Sequence, residues 1–183
     1  MQFLELRRHS TRTPGTEHLS QAGVALARRV GSTMGPFARV MTSPSAWTFE
    51  TALAMGFEVG ARYAPVDLSE SEWEALHLLM PPGTPFPVRS HVMNTDPLAR
   101  RFAEALRSQW RAFVRHLPDG ECMLVITHGG YIGNSAVACL PNAPHASWGD
   151  NFAHCEGIRL HYDGGGFADG AILRVPPDMP PPV

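Results

Sequence analysis

The chain alternates short apolar runs with amphipathic stretches. Phe3-Leu4-Glu5-Leu6, Ala38-Arg39-Val40-Met41-Thr42 and Met123-Leu124-Val125-Ile126 have the length of buried strands and are bounded by polar or turn-forming residues. Between them lie helical patterns with readable ends. Ser20 is placed as an N-cap, with Leu19 and Val24 spaced as a hydrophobic staple, and the helix runs through Leu26 and Val30 toward Gly31 or Gly35. A second helix is expected from Trp47 to Met55, stopping at Gly56. Ser69-Glu70-Ser71-Glu72 forms a capping box ahead of Trp73, Leu76 and Leu79, with Pro81-Pro82 as the stop.

Pro81 to Pro87 reads as a loop, and the segment as far as Met93 is taken as loop carrying no readable specificity code. Asp96-Pro97 opens the clearest helix, where Leu98, Phe102, Leu106, Trp110, Phe113 and Leu117 recur at spacings of three or four. Pro118-Asp119-Gly120 turns it into the Met123 strand. Gly157 to Tyr162 and Ala171 to Val175 flank Asp163-Gly164-Gly165-Gly166 and predict a hairpin. The opening βαβα rhythm predicts one three-layer α/β/α domain over residues 1–175 with a mostly parallel central sheet. Residues 176–183 are expected to be an extended Pro-rich tail.

Two of these strands end on chemistry. Arg8-His9 follows the first, and Thr127-His128-Gly129-Gly130 follows the Met123 strand. Each His then lies past the carboxyl end of a strand, the edge where open α/β sheets bind ligands. An Arg holds oxyanions bidentately, and a positioned His can accept a phosphoryl group. A second Arg-His pair, Arg115-His116, only closes an amphipathic helix and is expected at the surface.

Composition narrows the setting. Apolar and charged fractions of 44% and 17% suit a globular chain, and a net charge of −2 predicts no generic attraction to nucleic acid or membrane. All 15 basic residues are Arg, which excludes lysine Schiff-base chemistry and a P-loop lysine. Cys122, Cys139 and Cys155 are odd in number and lack a CxxC spacing, which argues for a reducing cytoplasm. The start of the chain has no basic region, apolar stretch and cleavage site, which also predicts a cytoplasmic protein. The remaining histidines lack HxH or HExxH spacing, so neither a metal nor another cofactor is expected.

Four segments in order resemble the histidine phosphatase, or phosphoglycerate mutase-like, superfamily. Leu6-Arg7-Arg8-His9-Ser10 is similar to its Leu-x-Arg-His-Gly motif, with Ser10 for Gly. Leu19 to Gly23 resembles the Leu-Ser/Thr-x-x-Gly segment, and Thr42-Ser43-Pro44 with Glu50-Thr51-Ala52 resembles Ser-Ser-Pro…Gln-Thr-Ala. Thr127 to Gly130 matches the second-His motif of the mutase-containing branch. The resemblance implies a nucleophile at His9, a second imidazole at His128, and phosphate binding by Arg8 and Gly129. It also implies a carboxylic acid after the second helix; Glu70 fits the Leu-x-Glu context, with Asp67, Glu72 and Glu74 as rivals.

One position departs from the family. Trp47 stands where an Arg usually holds phosphate, and an indole offers one donor and no charge. Arg8-His9-Ser10-Thr11-Arg12-Thr13-Pro14 resembles the Arg-His-Gly-x-Arg-x-Pro of the acid phosphatase branch, which makes Arg12 a replacement ligand, with a solvated loop residue as the alternative. Arg62 and Arg89 are further loop cations. The activity implied is metal-independent hydrolysis of a phosphomonoester, small molecule or phosphoprotein, through phospho-His9. The alternatives are a phosphate-binding pseudophosphatase and a mutase-type phosphotransferase.

Overall fold

The computed structural model describes residues 1–176. β1 (Gln2–Arg8) is followed by α1 (Gln21–Gly31), β2 (Arg39–Thr42), α2 (Ala46–Ala54) and a two-residue β3 (Ala61–Arg62). Then come α3 (Glu70–Leu79), α4 (Phe86–Thr95), α5 (Pro97–Val114), β4 (Cys122–Thr127) and α6 (Gly129–Cys139). A short 3-10 helix, His145–Trp148, leads to β5 (Gly157–Tyr162) and β6 (Phe167–Leu173).

The six strands form one sheet in the order β3-β2-β4-β1-β5-β6. The first four are parallel, while β5 runs antiparallel to β1 and β6 antiparallel to β5. Strand alternation divides the core between two faces. Leu4, Leu6, Met123 and Val125 pack under α5 and α6 with Phe102, Leu106, Trp110 and Ile132. Leu124 and Ile126 point the other way, against Ala27, Val30 and Ala52 of α1 and α2. The result is a single three-layer α/β/α domain with a mostly parallel sheet.

Glu5 interrupts the apolar run of β1 and is fully buried. A buried carboxylate survives only when paired. Here Oε1 accepts from Arg7 Nε at 2.7 Å, and Oε2 accepts from Arg159 of β5 at 2.8 and 2.5 Å. The ionic clamp therefore joins neighbouring strands at the register Glu5↔Arg159.

The helix starts follow local chemistry. Ser20 Oγ accepts from Gly23 N, Ser69 and Glu72 make both halves of a capping box, and Asp96 Oδ1 accepts from Ala99 N ahead of Pro97. Two expectations need correction. Residues 86–95 are a helix, not a loop: Pro85 and Pro87 sit at its opening, where no intrahelical N–H is needed, and Phe86, Arg89 and Met93 form its buried face. β6 begins at Phe167 rather than Ala171, because the turn closes when Asp163 N donates to Gly166 O. The predicted tail lies, beyond Pro176, outside the described residues.

Gly23 in α1 sits directly against the segment that follows His9. A Cβ there would stand 2.0 Å from the Thr11 carbonyl oxygen. Gly23→Ala should lower the unfolding free energy by about 1–3 kcal/mol, the usual cost of overpacking, when measured by urea titration.

Candidate active site

The parallel pairing of β1 with β4 puts Arg8 opposite Thr127. His9 continues that ladder by donating its backbone N–H to the Thr127 carbonyl at 2.9 Å. Two residues more than a hundred positions apart thereby become neighbours, and the His9 and His128 rings lie 5.5 Å apart between centroids.

His9 is 8% exposed. Its Nδ1 lies 2.8 Å from the Ser10 carbonyl, which can only accept, so Nδ1 carries the proton and Nε2 keeps its lone pair. Burial pushes the pKa of His9 down to about 4, helped by the charges of Arg8 and the neighbouring imidazoles and opposed by the Ser10 bond. The ring is neutral at cellular pH. Ser10 is itself locked, its N–H donating to Thr51 Oγ1 and its hydroxyl to the Gly23 carbonyl.

Arg8 leans across the first turn of α6. A Cβ on Gly129 would come within 3.0 Å of Arg8 Cδ, so this glycine makes room for the guanidinium stem. Nη1 donates to the Phe152 carbonyl at 2.7 Å, whereas Nε is buried and has no hydrogen-bond partner among the described residues. An orphaned charged donor at this corner suits an oxyanion. His128 is the N-cap residue of α6, and its Nε2 lies 3.1 Å from Ser43 Oγ. Burial, then the charges of Arg12 and Arg8, lower its pKa. The open N–H groups of the α6 first turn add a favourable place for negative charge.

Trp47 closes one side of the cluster, 6.1 Å from the His9 ring and 5.9 Å from His128. The Arg12 guanidinium lies over the indole at 4.4 Å. The residue replacing the expected cation thus becomes a shelf for another one. The Arg12 segment is held by a bridge to Leu19, whose N–H donates to Glu50 Oε2 at 2.8 Å. Trp47 Nε1 is also buried with no hydrogen-bond partner among the described residues.

Among the described residues, Glu70 makes no hydrogen bond to His9, His128, Arg8 or Arg12. It is exposed in the first turn of α3. Glu72 is committed to its capping box and to Arg101. Sequence reasoning missed two contributors. Ser43, quoted only as part of a motif, holds His128. His154 precedes β5 and places its ring 5.7 Å from His9. Its signal was topological: the start of a strand antiparallel to β1 lies at the same sheet edge as the end of β1.

A pocket of about 370 Å³ opens beside His128, with walls that include Trp73, Leu76, Met80 and Tyr131. Arg89 of α4 reaches it although only 1% exposed. Its Nε donates to the Thr84 carbonyl and Nη1 to Asn134 Oδ1, and burial lowers its pKa to about 10, still charged at neutrality. Arg62 instead lies over Phe49, with Nη1 at 3.5 Å from the Pro44 carbonyl.

Solved structures share this arrangement of strands and helices. A phosphoserine phosphatase from Entamoeba histolytica, in complex with 3-phosphoglyceric acid, superposes with a TM-score of 0.65 at 14% identity, over 96% of this chain and 98% of that one. A phosphoglycerate mutase from Bacillus anthracis gives 0.58 at 15% identity, covering 94% of this chain and 92% of the other. One from Thermus thermophilus gives 0.55 at 18%, with 95% and 99% covered. The chain shares the fold of these phosphatase and mutase structures. No protein-family model and no curated protein sequence matches it.

Within this fold, the neutral imidazoles make stability depend on pH. The His9 pKa falls from 6.5 to about 4 on folding, and those of His128 and His154 fall as well. The unfolded chain then binds more protons than the folded one across that window. Stability present above about 6.5 should be lost as pH falls toward about 4. Urea unfolding at stepped pH checks this, and His9→Gln should flatten the dependence.

Proposed function

We propose that this protein is a metal-independent phosphomonoesterase that transfers the phosphoryl group to His9. The observation that carries the reading is the tautomer lock: Nδ1–H is spent on the Ser10 carbonyl, and the ring is neutral, which leaves Nε2 as a ready nucleophile. Arg8, Arg12 and His128 lie near it, so charge developing on the equatorial oxygens meets donors close at hand. Among the described residues, no carboxylate hydrogen-bonds to either imidazole, which suits a dianionic group. Nor, among the same residues, could any group of three or more His, Cys, Asp or Glu side chains hold a metal ion. The two guanidiniums and the α6 N-terminus supply the positive charge instead.

The apolar pocket beside His128 suits the organic part of the ester, an aryl or similarly compact body. Relatives in fold include both phosphatases and mutases. The phosphatase reading is preferred because the Asn-bearing Arg-His-Gly segment typical of mutases is missing from the sequence at Arg8 to Ser10.

Mixing the protein with an activated aryl phosphate and quenching rapidly should leave acid-labile, base-stable phosphate on His9. His9→Ala should abolish both the label and turnover, and EDTA should change neither in the native protein. Label on another residue, or turnover that needs an added metal, contradicts the mechanism.

Arg12 is assigned the clamp role vacated at Trp47. Arg12→Ala should weaken inorganic phosphate binding by about 1.5–3 kcal/mol, the worth of a charged hydrogen bond. Adding Trp47→Arg should restore part of it, read by calorimetric titration. Unchanged affinity in Arg12→Ala makes Arg12 a solvated loop residue. Phosphate binding without turnover, with turnover appearing only in Trp47→Arg, points to a binding protein instead.

A further inference from the structure

Expelling an alkoxide or phenoxide needs a proton donor, and among the described residues no carboxylic acid hydrogen-bonds to the rings of His9, His128 or His154. Glu50 holds the Leu19 N–H and His18. Glu156 accepts from Ala153 N, Val175 N and Arg174. Glu70 is exposed on α3. Three imidazoles are what the site does contain, and two already have tasks. His9 Nδ1 is tied to Ser10, with Nε2 facing phosphorus in the proposed reaction. His128 Nε2 is tied to Ser43.

His154 is the third. Both ring nitrogens lack a hydrogen bond to any described residue, yet its backbone is held in place. Arg8 grips the loop on either side of it: Nη1 donates to the Phe152 carbonyl at 2.7 Å, and the Arg8 carbonyl accepts from Cys155 N at 3.1 Å. Ala153 N donates to Glu156 Oε2 at 2.9 Å, and Cys155 takes a positive φ of 61° to turn the chain into β5. The half-buried ring meets His9 edge-on, with centroids 5.7 Å apart and planes at 62°. The guanidiniums facing it are Arg8, at the end of β1, and Arg12, on the segment after His9.

We infer that His154 is the catalytic proton donor to the leaving group, taking the place of a carboxylic acid; the inference rests on the phosphatase reading above. As His9 Nε2 bonds to phosphorus, the bond from phosphorus to the ester oxygen breaks. The departing oxygen takes the proton of the His154 imidazolium. The neutral imidazole then accepts a proton from the water whose oxygen attacks phospho-His9. That step releases inorganic phosphate and returns both histidines to their starting states. In the empty site, burial and the two guanidiniums disfavour the imidazolium. A bound phosphate dianion reverses that field and favours it.

The test compares esters that differ in their need for a proton. Rates for 2,4-dinitrophenyl phosphate, phenyl phosphate and an alkyl phosphate are measured in the native protein and in His154→Gln. Loss of a general acid should raise the ratio of kcat/KM between dinitrophenyl and phenyl phosphate by about 10²-fold or more, and the alkyl ester should suffer further. Residual turnover of the dinitrophenyl ester reports that the variant is folded, and trapping of phospho-His9 from it reports an intact nucleophile. Equal losses for all esters, or no loss for any, overturns the assignment of His154. A native protein that turns over none of the three overturns the phosphatase reading, and this one with it.

Discussion

The site depends on the register between two parallel strands. Pairing Arg8 with Thr127 makes the ends of β1 and β4 level, and the His9 N–H closes the last rung on the Thr127 carbonyl. A slip of one residue would turn every side chain of β1 to the opposite face. Leu4 and Leu6 would then leave the α5–α6 face, and Glu5 would lose its guanidinium partners. The hydrophobic layers and the buried Glu5 clamp therefore specify the register, and the register brings the two imidazoles together.

Arg8 extends that constraint to the third imidazole. It stands over Gly129, and both its side chain and its carbonyl hold the loop that precedes β5. Arg8, whose Nε has no hydrogen-bond partner among the described residues, thereby fixes the backbone on either side of His154. Loss of the Arg8 side chain would remove the bond to the Phe152 carbonyl along with a guanidinium charge, so Arg8 contributes position as well as charge. The helix start after His128 and the glycine at that turn complete the same corner of the sheet.

Charge in the site is one-sided. Two guanidiniums and three imidazoles face one another, and burial keeps the imidazoles neutral so that their repulsion stays small. Arg8 Nε and Trp47 Nε1 have no acceptor among the described residues, so the cluster carries unsatisfied donors beside its positive charge. Trp47 contributes through its face, which carries Arg12. The buried cation of Arg89 gives the adjoining apolar pocket a single charged point.

Local chemistry along the chain was enough to place most elements. The N-caps at Ser20, Ser69 and Asp96, the apolar runs of β1, β2 and β4, and the periodicity of α5 are short-range signals that act within a few residues. The positions of His9 and His128 at strand ends were legible for the same reason. Tertiary structure alone decided the rest. α4 opens on prolines that read as loop, and its helix is held by the burial of Phe86, Arg89 and Met93 against other elements. The stacking of Arg12 on Trp47 needs a loop folded back by Glu50, and His154 reaches His9 only because β5 runs antiparallel beside β1. These are contacts between residues far apart in the chain, and neither propensity nor spacing carries information about which distant segments will be neighbours.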